Sequence, residues 1–345
     1  NVVVFLSLAA VAYTDWVVIA NISLGYLYVI PLAFSALVNP PAATFALAAV
    51  CTFLTDIFGP PADNLFLRIA HDAIMLGVFL VTSVLVWLIA RQSNRLTGEI
   101  RRQRDEYESD LLLAAQVQQK VLPRPLTLPG LGLAAAMHTA RLLGGDYYDF
   151  FQISDDIVDV VIADVSGKGA AAALLMPSLA VALRLRAREL AGPAAIIKDL
   201  DTVLKQITRP ASFVTMCYVR FHLSSRTLEY ANGGHNAPVL LRPSGQTLLL
   251  ESTGPILGIL DSTQFSSATI PLEAGDILTL YTDGVTEQEN PQAEEFSIER
   301  LTGVIADRAS EPPAAIVDAI ADAVSAFAGA AEQSDDFTVI VGRVG

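Results

Sequence analysis

Long apolar stretches separated by polar or proline-containing breaks dominate the first 90 residues of the chain. They cover residues 2–12, 17–38, 42–58 and 65–90, and within the last one residues 73–90 are 18 in number without a charged side chain. A membrane-spanning helix needs about 20 predominantly apolar residues. A cleaved signal peptide accounts for one such stretch but not for several. The pattern predicts a transmembrane helical domain of three to four spans over residues 1–90.

Charged residues mark the end of this region and predict its orientation. Five arginines follow the last apolar stretch directly: Arg91, Arg95, Arg101, Arg102 and Arg104. Basic residues beside a span are retained in the cytoplasm. We therefore expect a multi-pass protein of the bacterial inner membrane whose chain after residue 91 is cytoplasmic. Earlier, Arg68, His71 and Asp72 share one helix face, either as an interfacial Arg68–Asp72 ion pair or as a signal-receiving site.

Residues 91–122 have the pattern of a helical linker. They are rich in charge, contain no proline and contain one glycine, Gly98. In one heptad register, the residues at the first core position would form an acceptable apolar seam of a coiled coil, whereas those at the second core position would form a poor one. Both a switching helix and a plain connector fit this pattern. Pro123 and Pro125 end the helix.

From residue 126 onward the pattern alternates between short strand-like and longer helix-like runs. Strands appear in groups separated by pairs of helices, which is typical of an α+β fold with largely antiparallel strands. The predicted strands are 157–163, 213–223, 227–230, 238–241, 277–281 and 337–341, and the predicted helices are 170–190, 194–207, 297–307 and 313–327.

The composition of the chain argues against some kinds of binding partner and of cysteine chemistry. The chain has 345 residues, 52% of them hydrophobic, and its net charge is −14 with 22 basic and 36 acidic residues. Without a basic face, a nucleic-acid partner is not expected. Cys51 and Cys217 have neither disulfide-framework nor metal-ligand spacing.

The turn Asp164-Val-Ser-Gly-Lys-Gly169 suggests a phosphate-binding loop, but the spacing does not fit one. A Walker-type loop requires Ser or Thr after the Gly-Lys pair and a glycine five residues before it. Here Gly169 follows Lys168, and Ile162 stands at the earlier position. Taken alone, Asp164 at the end of an apolar strand fits a helix cap.

The same arrangement, an aspartate at the junction of an apolar strand and a turn, recurs along the chain. The positions are Asp146, Asp164, Asp283 and the pair Asp335 and Asp336. Carboxylates gathered at sheet ends repel one another unless a cation separates them. Oxygen ligands favour Mg²⁺ or Mn²⁺ over zinc or copper. With four histidines in the chain, a histidine-based zinc site is not expected.

Six segments in this half of the chain resemble, in order, those of the PPM-type (PP2C-like) metal-dependent Ser/Thr phosphatases in their bacterial SpoIIE/RsbU-like branch. The resemblance covers roughly residues 111–345, and the segments are 115–123 (AQVQQKVLP), 144–150 (GGDYYDF), 164–169 (DVSGKG), 232–238 (NGGHNAP), 281–287 (YTDGVTE) and 334–340 (SDDFTVI).

The resemblance implies a fold and a set of ligands. The fold is an α+β, PP2C-like sandwich of two antiparallel β-sheets flanked by α-helices at residues 123–345, preceded by the transmembrane domain and the linker. Two Mn²⁺ or Mg²⁺ ions would be held by Asp146, Asp164, the Val165 backbone carbonyl and Asp283. Asp335 would complete this set, with Asp336 as the alternative member of its pair.

The resemblance also implies a function. We expect a membrane-anchored phosphatase that hydrolyses phosphoserine or phosphothreonine with a metal-activated water. Asp146, Asp164, Asp283 and Asp335 would act through the bound metals. The implied substrate is a phosphorylated STAS-domain anti-sigma-factor antagonist, and the implied assembly is a homodimer formed through the linker, with residues 116–122 passing on a signal. The alternative is a membrane sensor or scaffold that binds a phosphoprotein without turning it over.

Two further residues have two interpretations each. His235 is either a general acid for the leaving alkoxide or a structural residue of its own glycine-rich turn. Lys168 either contacts phosphate or is solvated at a helix entry.

Overall fold

The computed structural model describes residues 2–18, 25–58, 65–123, 126–166, 170–207, 212–261 and 263–345. The chain divides into two compact units, Asn1–Tyr107 and Glu108–Gly345. Gly167, Lys168 and Gly169 lie outside the described residues, and so do both interpretations of Lys168.

The first unit is helical. Helices α1 (Val2–Val18), α2 (Val29–Val38) and α3 (Pro41–Phe58) are followed by α4 (Leu65–Val121), and a 3₁₀ turn at Gly25–Tyr28 precedes α2. The break between α2 and α3 falls at the prolines, as the sequence predicts. The predicted stretch 17–38 is not one helix, because α1 ends within it and α2 begins at Val29.

The apolar surface of this unit faces outward. Its small core contains Tyr28, Leu32, Cys51 and Phe79, whereas Phe5, Phe53 and many other large apolar side chains are exposed. Among the described helices, α3 and α4 are long and apolar enough to span a membrane, and α1 and α2 are shorter apolar helices. Outward apolar side chains of this density suit contact with lipid better than contact with water.

The predicted Arg68–Asp72 pair is wrong. The Arg68 guanidinium instead contacts the Asp56 carboxylate on α3 with two nitrogens, Nε lying 2.7 Å from Oδ1. The His71 ring faces Asp72, with Nδ1 3.5 Å from Oδ1. A planar guanidinium reaches a carboxylate on a neighbouring helix with both nitrogens, which gives the stronger, two-bond geometry.

The linker prediction of a helix over residues 91–122 agrees with the structure, in which α4 continues to Val121. The boundary between the two units falls inside this helix.

The second unit contains two antiparallel sheets. One has the strand order β1-β2-β11-β10-β7-β8 and the other the order β3-β4-β5-β6-β9. The strands are β1 (Thr127–Leu128), β2 (Leu131–His138), β3 (Asp146–Gln152), β4 (Ile157–Val165), β5 (Val214–His222), β6 (Thr227–Gly233), β7 (Val239–Leu241), β8 (Thr247–Leu249), β9 (Ala268–Pro271), β10 (Ile277–Tyr281) and β11 (Phe337–Val344).

Helices cover the outer faces of both sheets. Helices α5 (Ala170–Glu189) and α6 (Pro193–Ile207) pack on the five-stranded sheet, and α8 (Ser297–Asp307) and α9 (Pro313–Ala328) pack on the six-stranded sheet. A third apolar cluster lies between the sheets and takes residues from both. The short helix α7 (Asp283–Thr286) follows β10. This four-layer α+β sandwich confirms the predicted fold class.

Two ion pairs with buried carboxylates tie α5 to the five-stranded sheet. Arg184 of α5 donates to both oxygens of the buried Asp149 on β3, at 2.6 and 3.0 Å. Arg220 on β5 binds Asp159 on β4 at 2.8 Å and also donates to the Ala187 carbonyl at the end of α5. Charges buried in pairs of this geometry are satisfied, and removing one partner leaves an uncompensated charge.

Candidate metal-binding active site

The predicted aspartates come from both sheets and gather at one end of the sandwich. Asp146 begins β3 and stands opposite Asp164 in the β3–β4 register. Asp283 begins α7 directly after β10, and the Asp335–Asp336 pair precedes β11, which pairs with β10. Because antiparallel neighbours place one strand's end beside the next strand's start, these acidic residues reach the same edge.

Asp146 joins the two sheets. Its Oδ2 accepts hydrogen bonds from the hydroxyls of Thr282 at 2.8 Å and Thr338 at 2.5 Å. Thr282 follows β10 and Thr338 lies on β11, so both belong to the six-stranded sheet, whereas Asp146 belongs to the five-stranded one. Burial raises the pKa of Asp146 well above its usual range, the Thr338 and Thr282 bonds oppose this rise, and the charges of Asp164 and Asp336 add to it. A buried carboxylate in this environment binds either a proton or a cation.

A cavity of about 430 Å³ opens at this edge. Three of the predicted acids line it: Asp164, Asp335 and Asp336. The rest of the lining comes from the segment that leads into Asp146 (Ala140, Arg141, Leu143 and Gly145) and from the segment before Asp335 (Glu332, Gln333 and Ser334). Asp283 lies near this group, since a β-carbon on the next residue, Gly284, would lie 3.2 Å from the Asp335 backbone carbon.

Arg141 is a functional candidate that none of the sequence motifs above includes. The available signal was an isolated basic residue five positions before a predicted ligand. Its side chain lines an otherwise acidic cavity, which makes it a donor for an anionic group.

The two members of the Asp335–Asp336 pair have different surroundings. Asp336 accepts one backbone N–H on each oxygen, from Ala140 at 2.8 Å and from Gly145 at 2.7 Å. Asp335 accepts the Asp336 N–H at 2.9 Å. With both oxygens in use, Asp336 holds the segment before Asp146, which supports Asp335 as the ligand of the pair.

Two glycines allow the close approaches that this end of the sandwich requires. A β-carbon on Gly284 would lie 2.1 Å from the Asp336 carbonyl oxygen. A β-carbon on Gly144 would lie 2.7 Å from Asp336 Oδ2. At Gly284 the close atoms are backbone, so no side chain fits without displacing the Asp335–Asp336 segment, and at Gly144 the side chains of Asp336 and Thr139 would have to move.

The donor chemistry suits a hard cation, although the ligands are not preassembled. The candidate set consists of carboxylates and one backbone carbonyl, that of Val165 at the end of β4, and these are the donors that Mg²⁺ and Mn²⁺ prefer. Within the part of the chain that the structure describes, no three His, Cys, Asp or Glu side chains form a closed metal-holding group. The metal assignment therefore stays a proposal that rests on donor type and on the shared acidic cavity.

His235 is buried beside this site. Its Nδ1 lies 2.8 Å from the Thr215 hydroxyl, and Thr215 stands opposite Asp164 in the β4–β5 register. Its backbone N–H donates to Asn232 Oδ1. Burial lowers the pKa of His235 to about 4, opposed by the Tyr281 backbone. At neutral pH the ring is uncharged and has no imidazolium proton to give, which supports the structural interpretation.

Comparison with known proteins agrees with this fold. A family model described as Stage II sporulation protein E (SpoIIE) matches residues 154–345. The SiaA-PP2C domain of Pseudomonas aeruginosa has a similar structure, with a TM-score of 0.64 and 20% sequence identity, over 70% of this chain and 99% of that domain. The second unit thus has a PP2C-like fold.

Curated relatives of the chain include two phosphatases of Bacillus subtilis. The phosphoserine phosphatase RsbU is 29% identical over 269 residues, which are 77% of this chain and 78% of RsbU. The phosphoserine phosphatase RsbP is 26% identical over 182 residues, which are 52% of this chain and 45% of RsbP.

Proposed function

The chain belongs to the SpoIIE family of PP2C-like phosphatases, and from this premise we propose that it is a membrane-anchored, metal-dependent protein serine/threonine phosphatase. The observation that carries the proposal is the gathering of acids from both sheets around one cavity that also contains Arg141. The similarity to RsbU and RsbP, both named phosphoserine phosphatases, supports the same activity.

We propose a separate role for each residue at this end of the sandwich. Asp146, Asp164, Asp283 and Asp335 would hold two Mn²⁺ or Mg²⁺ ions together with the Val165 carbonyl, and Asp336 would hold the backbone before Asp146. When bound, such ions lower the pKa of a shared water and offset charge on phosphoryl oxygens. Arg141 would bind the phosphoryl oxygens of the substrate and orient the ester, since a guanidinium pairs with two phosphate oxygens at once.

The proposed setting is the bacterial inner membrane, with the second unit in the cytoplasm. The proposed substrate is a phosphorylated STAS-domain anti-sigma-factor antagonist, in line with the similarity to RsbU. Incubating the chain with such a phosphoprotein and following its intact mass tests this directly: loss of one phosphate is expected, and an unchanged mass excludes this substrate class.

The proposed assembly is a homodimer through the linker part of α4. Leu96, Ile100, Tyr107, Leu113 and Val117 are all exposed large apolar side chains on this helix. Apolar positions repeated along an exposed helix favour a partner helix. Light scattering of the detergent-solubilised chain should give the mass of two copies, and the mass of one copy would exclude the dimer.

The central test replaces Asp164 with asparagine. Asp164→Asn keeps the side-chain shape but removes the negative charge, so metal-dependent phosphate release from a phosphoserine peptide should fall by about a thousandfold or more. The folded domain should persist, as measured by thermal unfolding. Asp155→Asn, in the exposed β3–β4 turn at the other end of the same strand pair, is the matched control and should keep wild-type activity.

The same assay separates the proposal from the sensor or scaffold alternative. A wild-type chain that binds the phosphopeptide but releases no phosphate with Mn²⁺ or Mg²⁺ is a scaffold. Full activity of Asp164→Asn excludes the ligand assignment. Arg141→Ala should raise KM for the phosphopeptide, and an unchanged KM removes Arg141 from substrate binding.

A further inference from the structure

The end of helix α4 reaches into the second unit and packs against its core. Val121 and the next residue, Leu122, pack on the apolar cluster that contains Met176 and Leu183 of α5. One turn earlier, Gln118 has only 6% of its surface exposed. The neighbouring Gln119 on the same helix is exposed.

The Gln118 side chain pairs with the backbone of Gly144. Its Nε2 donates to the Gly144 carbonyl at 2.7 Å, and its Oε1 accepts the Gly144 N–H at 3.3 Å. Nε2 also lies 3.5 Å from Met176 Sδ. A primary amide can satisfy both backbone polar groups of one residue in this way, whereas an apolar or purely acidic side chain cannot.

The paired backbone belongs to the segment that leads into Asp146. Gly144 precedes it by two residues, and the intervening Gly145 N–H donates to Asp336 Oδ2 at 2.7 Å. Side chains from two distant places in the chain, Gln118 on α4 and Asp336 before β11, therefore hold the backbone of two consecutive residues, Gly144 and Gly145. Of these two, only Gln118 belongs to the linker helix.

We propose that Gln118 is a positioning residue that connects the end of α4 to the metal-binding segment, so that the position of this helix end sets the metal affinity at Asp146. This inference rests on the proposed function, since it assigns a regulatory contact to the same site. Withdrawal of the helix end leaves the buried Gly144 N–H and carbonyl without partners, and the segment that presents Asp146 loses its fixed position. The chain then binds metal weakly while its sheets stay intact.

The experiment compares Gln118→Leu with Gln119→Leu in the full chain in detergent micelles. The two variants make the same chemical change on adjacent residues, one buried against Gly144 and one exposed. Mn²⁺ binding is measured directly from the electron paramagnetic resonance of free Mn²⁺. Gln118→Leu should weaken Mn²⁺ binding about tenfold, the effect of losing one to two net hydrogen bonds, and saturating Mn²⁺ should restore phosphate release. Gln119→Leu should match the wild type in both.

Hydrogen exchange of the metal-free chain supplies a readout that does not depend on activity. Residues 140–146 should exchange faster in Gln118→Leu, whereas β4 and β5 should remain as protected as in the wild type. Wild-type Mn²⁺ affinity in Gln118→Leu overturns the proposal, even if the variant unfolds at lower temperature, because that result assigns Gln118 a purely structural role. Unchanged exchange of residues 140–146 also overturns it.

A second variant keeps the test decisive if Gln118→Leu fails to fold. Gln118→Glu retains the acceptor for the Gly144 N–H but loses the donor to its carbonyl, so an intermediate loss of Mn²⁺ affinity is expected, and wild-type affinity overturns the proposal. If the wild type binds Mn²⁺ but releases no phosphate, the proposed phosphatase function fails. The Mn²⁺ affinities and exchange rates of the variants still decide the role of Gln118.

Discussion

Two residues near the cavity, Asp336 and His235, derive their roles from bonds that the sequence does not record. Asp335 and Asp336 are the same residue type, yet each carboxylate oxygen of Asp336 accepts a hydrogen bond from a backbone N–H. His235 is fixed by Thr215 and by Asn232 in a buried site. Hydrogen bonds to the protein occupy both carboxylate oxygens of Asp336, whereas burial keeps the His235 ring uncharged at neutral pH.

The lowered pKa of His235 predicts a pH dependence of stability. An unfolded histidine takes up its proton near pH 6.5, whereas the folded one does so near pH 4. Between these values the unfolded chain binds more protons, so stability is complete above pH 6.5 and is lost as the pH falls toward 4. The loss attributable to this residue is on the order of 3 kcal/mol. Denaturant unfolding across this window measures it.

The control for this prediction is a second histidine. His235→Gln should flatten the fall in stability between neutral and acidic pH, whereas His222→Gln, at a partly exposed position on β5, should leave it in place. An unchanged slope in His235→Gln would contradict the assignment of a buried, neutral imidazole.

At the level of elements, the contact between the start of α7 and the segment before β11 determines how closely the predicted ligands Asp283 and Asp335 approach. Thr282 donates to Asp146 and accepts the Thr338 N–H, so β10, β11 and β3 meet at a few shared atoms. Gly284 permits the approach because its missing side chain leaves room for the Asp336 carbonyl.

Replacing Gly284 with alanine should separate these segments. The new methyl group would overlap the Asp336 backbone, which cannot move aside as a flexible side chain would, so we expect a loss of roughly 1–3 kcal/mol in the free energy of unfolding and strongly reduced phosphate release. Gly303→Ala, within α8 where a β-carbon meets nothing within 4 Å, is the control and should stabilise the chain by up to about 1 kcal/mol. Wild-type stability of Gly284→Ala would contradict the close approach.

Helices and strands with a clear pattern of hydrophobic and polar residues were predictable from the sequence, and those with a weak pattern were not. Helix α8 and strand β10 have the predicted bounds. Strand β2 was missed because its sequence LGLAAAMH is rich in alanine, which has little intrinsic preference for strands. It forms because β11 pairs with all eight of its residues. The edge strands β8 and β9 are three and four residues long and partly exposed, so they show too little alternation to be recognised.

At the level of the whole molecule, the chain combines an apolar helical unit with a PP2C-like unit. We predict that the full chain sediments with membranes and resists extraction by high salt and alkali, because its outward apolar side chains gain free energy only in lipid or detergent. Detergent should release it. Residues 108–345 expressed alone should remain in the soluble fraction. Release of the full chain by salt would contradict membrane spans in residues 1–90.

The sequence by itself determined the family, the α+β sandwich, most of the regular elements and the positions where carboxylates end strands. It could do so because hydrophobic periodicity and short motifs are local properties of the chain. Tertiary structure decided which side chains share a cavity, and it placed Arg141 in the lining of that cavity. It also decided that Asp336 binds the backbone before Asp146 and that Gln118 binds Gly144. Those relations connect residues 26 to 196 positions apart, and contacts at such separations exist only once the sheets pack.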